Sequence, residues 1–340
     1  MAEDSSDFII LKSIDNVATA RRTLKAGSVV ELNGTSIELR QTIPGGHKVA
    51  LASVSTGREV VNYGQYIGFA KRDIEAGDWV HTHNVELKEV GRDYGYCEDF
   101  KQLEPIQHKG DAFSGFARAK GRAGTRNYIA VISSVNCSAT VSRYVADHFR
   151  TNDFTREFSN VDGVVAFTHK GGCSYDPNHG HELLQRVIAG MARHPNIGGY
   201  LLVGLGCEVN QIPALVDAHQ LDQLEEGEQA PTFLTIQQTG GVRKTVESAI
   251  KAVEEMLPKV NAQQRTPQPV SKLTLAMNCG GSDSNSGVSA NPALGVASDE
   301  LVRRGAASVF GETTEIYGAE HLLTRRAASR EAVSYTHLTL

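Results

Sequence analysis

Four of the five cysteines in this chain, Cys137, Cys173, Cys207 and Cys279, each stand a few residues beyond an apolar, strand-like run and beside Gly, Asn, Asp or Glu. The runs are 128–133, 163–168, 200–204 and 273–277. In open parallel sheets, ligands bind at the carboxyl ends of the strands. A thiolate placed there can ligate a soft metal or an iron–sulfur cluster. The plainer reading is that each cysteine is a small buried hydrophobe, the commonest fate of a free thiol. Glycine pairs also follow the runs, at Gly171-Gly172, Gly240-Gly241 and Gly280-Gly281. They let the backbone turn sharply and approach a ligand. None spells GxGxxG or a P-loop, so a nucleotide site gains no support.

His81-Thr82-His83-Asn84 closes another predicted strand, 79–83. Residues i and i+2 of a strand face one side, so both imidazoles could reach one divalent metal. The alternative is two surface histidines on an edge strand. Arg118, Arg122 and Arg126 precede the first α/β strand. They suit a carboxylate, which arginine binds bidentately, or a solvated basic loop. Asp176, His179 and His181 follow Cys173 just before a helical pattern. They read as acid/base groups or as residues that start the helix.

The elements that must position these groups fall into two kinds. Residues 1–90 are β-rich: short runs at 28–32, 36–39, 47–53 and 79–83 alternate with turns such as Asn33-Gly34. That pattern predicts hairpins in a small barrel or sandwich. Residues 91–112 lack periodicity and read as a linker. Over 113–260, runs at 128–133, 163–168, 200–204 and 232–236 alternate with helical patterns at 142–150, 182–194 and 243–257. This predicts a mostly parallel, doubly wound sheet. The Gln- and Pro-rich stretch 258–269 reads as an exposed connection, and 270–333 as the start of a second, incomplete α/β lobe.

Composition limits the function classes. The chain has 340 residues, enough for about two domains. Its net charge is −5 with scattered Lys and Arg, which argues against nucleic acid. No apolar run nears the ~18 residues that span a bilayer, and the acidic start differs from a secretory signal. Five cysteines at irregular spacing argue for reduced thiols. The expectation is a soluble, cytoplasmic protein.

Several stretches taken together resemble the altronate/galactarate dehydratase family. They are IPGGHKVAL (43–51), YGQYIGFA (63–70), GDWVHTHNV (77–85), GRAGTRNYI (121–129), VNCSATV (135–141), NVDGVVAFTHKGGC (160–173), GLGCEVNQI (204–212), CGGSDSNSG (279–287), SANPALG (289–295) and EIYGAEHLLTRRA (315–327). The resemblance implies a small SAF-like barrel or clip domain followed by a larger α/β region. It implies loss of water from a hexonate or hexarate to give a 2-keto-3-deoxy acid, with iron(II) or manganese(II). A related branch resembles sulfolactate sulfo-lyase, the alternative activity.

For such an elimination, His81 and His83 are expected to hold the metal, with thiolates of Cys137, Cys173, Cys207 and Cys279 as further ligands or as ligands of an iron–sulfur cluster. Arg126, Asn127, Asn136 and Asn210 are expected to bind the substrate. His169, Lys170 and His179 are the base and acid candidates. A small-molecule sugar acid is the expected partner, and a homo-oligomer is compatible. Family members continue past EIYGAEHLLTRRA, whereas residues 334–340 do not match that continuation. The chain is therefore expected to be a fragment or inactive alone, with a non-native tail.

Overall fold

The structure is a computed structural model describing residues 7–32, 35–88, 94–106, 111–151, 157–174, 178–223, 229–281, 286–312 and 316–335, the side chains of Leu32, Thr35, Ser334 and Tyr335 excepted. The chain forms two compact units. The first comprises 1–105, 275–303 and 308–340; the second comprises 106–274 and 304–307.

Nine short strands open the first unit: β1 (Phe8–Ile9), β2 (Val17–Ala20), β3 (Val29–Leu32), β4 (Thr35–Glu38), β5 (Lys48–Ala50), β6 (Glu59–Asn62), β7 (Gln65–Ala70), β8 (Trp79–Val80) and β9 (Val85–Glu86). They make separate sheets of order β1-β2-β5-β8, β3-β4 and β6-β7-β9, and their pairings are antiparallel. The expected barrel does not close among the described residues. Strands of two to six residues are too short to carry a continuous ladder, and the β6–β7 pairing is broken by a register shift at Val60/Val61. Two apolar clusters replace a single lumen. One holds Ala18, Leu39, Ile43 and Val49, the other Val17, Val54, Val60 and Ile74. The Asn33-Gly34 turn lies outside the described residues, but β3 and β4 on either side pair with Leu32 opposite Thr35.

The second unit contains β10 (Ala112–Ala117), β11 (Ala123–Gly124), β12 (Tyr128–Ser133), α1 (Ala139–Thr151), β13 (Gly163–Phe167), α2 (His179–Ala192), β14 (Ile197–Gly204), α3 (Ile212–His219), β15 (Thr232–Thr235), α4 (Ile236–Thr239), α5 (Val242–Asn261) and β16 (Arg265–Pro269). Strands β13-β12-β14-β15 form a four-stranded, wholly parallel sheet. Its central strands are apolar on both faces because both are covered. Ile129 and Val131 of β12 and Leu201 and Val203 of β14 face α1 and α5 through Val145, Phe149, Val253 and Met256. Ala130, Ile132 and Leu202 face α2 and α3 through Ile188, Ala189 and Leu215. Each fully buried Leu or Ile contributes roughly 1.5–3 kcal/mol.

Residues 258–269 are more ordered than the expected connection. Helix α5 continues through Pro258 to Asn261, and β16 pairs antiparallel with β10. Sheet order β11-β10-β16 puts β16 on an edge, where Pro267 and Pro269 need no outward N–H.

The remaining elements are β17 (Thr274–Met277), α6 (Asn291–Arg303), β18 (Ala307–Phe310), α7 (Glu320–Thr324) and α8 (Arg330–Tyr335), with β17 and β18 paired. Within the first unit, part of the stretch read as a linker is pinned to α7. Thr324 Oγ1 donates to Gly95 O at 3.1 Å, and Arg325 pairs with Glu98 and Asp99 at 2.7 Å each. Of the expected tail, Ser334 and Tyr335 end α8 and 336–340 lie outside the described residues. No described helix is long and apolar enough to cross a membrane.

Candidate functional site

At the carboxyl ends of β12, β13 and β14, three loops are tied into one rim. Asn136 N donates to Gly171 O at 2.8 Å, and Val209 N donates to Cys173 O at 2.9 Å. Each bond joins the loop after one strand to the loop after another. The β15 side joins through Gln237, whose N donates to Leu205 O at 3.0 Å and whose Nε2 donates to Cys207 Sγ at 3.3 Å. Cys137, Cys173 and Cys207 therefore share this edge. Cys137 and Cys207 are exposed, and no described cysteine is in a disulfide. Cys279 follows β17 in the first unit, where its thiol donates to Gly281 O at 3.6 Å.

The anchor of the rim is Glu208, 2% exposed. Its carboxylate accepts from Ser134 Oγ at 2.9 Å, Leu205 N at 3.0 Å and Gly206 N at 2.5 Å. A buried carboxylate is tolerated only when so satisfied. Gly206 adopts φ +121°, and a Cβ there would meet Gln237 Oε1 at 2.7 Å, so the turn requires glycine. Asn210, 3% exposed, is committed on both sides of its amide: Nδ2 donates to Ser134 O at 2.9 Å, and Oδ1 accepts from Gln185 Nε2 at 3.1 Å. Buried and bonded on both sides, it braces the rim. Asn136 is exposed on the same edge.

Among the acid/base candidates, His169 is the most constrained. Its Nδ1 accepts from Gly171 N at 3.1 Å, which puts the proton of the neutral ring on Nε2. Nε2 is sealed from solvent without a hydrogen-bond partner of normal geometry among the described residues. Burial lowers the His169 pKa, with the backbone of Ser134 and Ser133 pulling partly the other way. A neutral, internally engaged ring is a poor proton shuttle as placed. Lys170 and His179 are exposed; His179 begins α2, which Asn178 caps by accepting from Gly180 N and His181 N. Asp176 lies outside the described residues. Arg143 of α1, not singled out from sequence, reaches Thr168 Oγ1 at 3.1 Å and supplies a guanidinium to the edge. Its only sequence signal was its place six residues beyond Cys137.

Arg126 and Asn127 are at the other end. Both precede β12, about 20 Å from the rim at 3.3 Å per residue. Asn127 is fully buried and saturated: Nδ2 donates to Asn160 O and Val260 O at 3.0 Å each, and Oδ1 accepts from Arg118 Nη2 at 2.8 Å. Arg126 is exposed and donates to Thr125 O at 3.0 Å. Arg118 and Arg122 clamp Pro195 O and Arg193 O at 2.8 and 2.6 Å. The basic motif thus secures the amino edge of the sheet. A cavity of about 700 Å³ lies there, lined by Arg118, Arg122, Arg193, His194 and Gln263 among others. Those arginines are occupied by main-chain carbonyls and amide oxygens.

In the first unit, His81 and His83 do come together, though not by strand alternation. Strand β8 ends at Val80, and 81–84 is a turn closed by the buried Asn84, which accepts from His81 N and donates to Trp79 O at 2.9 Å each. Gly77 (φ +86°) sets the entry: a Cβ would lie 2.0 Å from Glu38 O. The two imidazoles lie 6.5 Å apart, near parallel at 14°. No group of three or more His, Cys, Asp or Glu able to hold a metal occurs among the described residues. Burial first, then Arg72 and His81, lowers the His83 pKa.

An antiparallel β region followed by a parallel α/β region with a polar carboxyl rim defines a two-part α/β protein. Three family models match it in order: the altronate/galactarate dehydratase SAF domain over 6–88, the second domain of D-galactarate dehydratase/altronate hydrolase over 115–261, and the D-galactarate/altronate dehydratase C-terminal domain over 270–338. The chain is 34% identical over 326 residues to altronate dehydratase of Bacillus subtilis (strain 168), covering 95% of this chain and 63% of that protein. It is 34% identical over 317 residues to altronate dehydratase of Escherichia coli (strain K12), covering 93% and 62%. It is 38% identical over 329 residues to galactarate dehydratase (L-threo-forming) of Escherichia coli (strain K12), covering 95% and 62%. The chain belongs to the altronate/galactarate dehydratase family, and it spans under two thirds of the length of these relatives.

Proposed function

We propose that this chain carries the elimination site of a hydro-lyase that removes water from a sugar acid of the altronate or galactarate type. The observation that carries the reading is the carboxyl rim, where Glu208, Ser134 and Asn210 brace three strand-end loops in a chain of this family. We read the sheet as doubly wound, since helices cover both faces. Five unpaired cysteines favour a reducing cytoplasm.

In the reaction, a base removes the proton α to the carboxylate, the electron pair forms the enol, and the β-hydroxyl leaves with a proton as water. The enol then becomes the 2-keto-3-deoxy acid. Lys170 and His179 are the exposed groups for base and acid. Arg143 and Asn136, both exposed at this edge, are the candidates to hold the carboxylate. His169 orders its loop through Gly171. The iron or manganese expected from the resemblance does not fit His81 and His83 as arranged, because no third His, Cys, Asp or Glu completes a ligand group with them among the described residues. Nor do the described thiols form a ligand group.

The test is anaerobic turnover of altronate and galactarate, with and without iron(II) or manganese(II), for this chain and for one extended to the length of its relatives. Formation of 2-keto-3-deoxy acid by either, abolished by Lys170→Ala, supports the reading. No product from either, with sulfite released from sulfolactate, would move the protein to the sulfo-lyase reaction.

A further inference from the structure

His47, a residue with no role so far, packs into the turn that carries His81 and His83. Its ring lies 5.3 Å from His81, stacked at 27°, and 5.4 Å from Trp79, edge-on at 67°. The edge-on contact is a hydrogen bond: Trp79 Nε1 to His47 Nδ1, 3.2 Å. Indole N–H only donates. His47 Nδ1 must therefore accept, and the neutral ring carries its proton on Nε2. That tautomer has no Nε2 lone pair to give a metal, but it offers an N–H to an anion.

The neighbours suit the same ligand. His81 Nδ1 is engaged by Thr82 Oγ1 at 3.0 Å, leaving Nε2 to meet a hydroxyl or carboxylate. His83 lies beside Trp79 at 5.3 Å. Lys71 and Arg72 add positive charge next to His83, partly opposed by Asp78, and Lys71 Nζ donates to Thr82 O at 2.8 Å. An N–H donor at His47 with these flanking cations suits a carboxylate.

We infer that the face formed by Trp79, His47, His81 and His83 is a recognition site for a polyhydroxy carboxylate, with His47 donating from Nε2, and not a three-imidazole metal centre. The identity of the ligand rests on the sugar-acid reading above; the tautomer and the anion preference do not.

Trp79 is the only tryptophan of the chain, so its emission reports this face alone. The experiment titrates the full chain, in chelator-treated buffer, with galactarate and with galactitol, the polyol lacking carboxylates. Galactarate should change Trp79 emission saturably and galactitol should not. His47→Phe should weaken galactarate about tenfold, the worth of one charge-assisted hydrogen bond, while His47→Gln, which keeps an amide donor, should retain most of the affinity. Long-range proton–nitrogen NMR of the unmodified chain should show His47 protonated on Nε2, whatever the variants do to folding. A proton on Nδ1, no response to galactarate, an equal response to galactitol, or manganese(II) binding lost in both His47→Phe and His81→Ala would each overturn the inference. Binding with no turnover would sink the proposed reaction and leave this site standing. Turnover with galactarate affinity unaltered in His47→Phe would do the reverse.

Discussion

Replacing Glu208 by Ala should loosen the rim more than any other single truncation there. The carboxylate accepts from two main-chain N–H groups, Leu205 and Gly206, and from the Ser134 hydroxyl. The hydroxyl can turn to Val203 O, 3.5 Å away, so it is not stranded. The two amides have no such alternative, and each buried donor left unpaired costs about 1–3 kcal/mol. The sum is about 2–6 kcal/mol, and water entering the vacated space moves the result toward the lower end. Glu182→Ala, at an exposed position on α2, should stay within about 0.5 kcal/mol. The chain has two compact units, so a global denaturation curve can mix two transitions. Amide exchange of the peptide spanning 201–212 isolates the local effect, and the urea midpoint of the second unit gives the energy. Unchanged exchange at Leu205 and Gly206, with a midpoint like that of Glu182→Ala, would refute the anchoring role of Glu208.

Burial holds the His169 pKa below the ordinary 6.5, so below about pH 6.5 the unfolded chain takes up a proton that the folded chain resists. Stability should fall as pH drops through that window, and His169→Gln should flatten the fall; identical urea midpoints against pH for both chains would contradict this. Gly206→Ala meets both a positive φ and Gln237 Oε1 at 2.7 Å, and should cost about 1–3 kcal/mol, read as a lower thermal midpoint. Asn127→Ala should destabilise by more than 2 kcal/mol, through lost bonds to Asn160 O, Val260 O and Arg118. Arg126→Ala should change stability by under about 0.5 kcal/mol and leave galactarate affinity unaltered; weaker binding would return Arg126 to the substrate.

Local pattern alone was enough to locate much of this molecule. The short runs alternating with turns such as Asn33-Gly34 announced a β-rich start, and 128–133 is observed as β12 residue for residue. A strand inside a two-faced parallel sheet must be apolar throughout, which is why β12 and β14 were legible. The placement of Cys137, Cys173 and Cys207 beyond strand ends was legible for the same reason, and the motif order named the family. Tertiary structure decided everything that depends on which end of a strand, or which distant residue, a side chain meets. Arg126 and Asn127 sit ten and nine residues from Asn136 in sequence, yet β12 carries them to opposite edges of the sheet. His81 and His83 meet because Asn84 closes a turn, a contact that no alternation rule contains. Glu208 looked like one more glutamate until three donors from two loops converged on it. His47 and Trp79 are 32 residues apart, and only the antiparallel pairing of β5 with β8 brings them to one face. Periodicity records which way a side chain points from its own element; it holds no information on what another element brings against it.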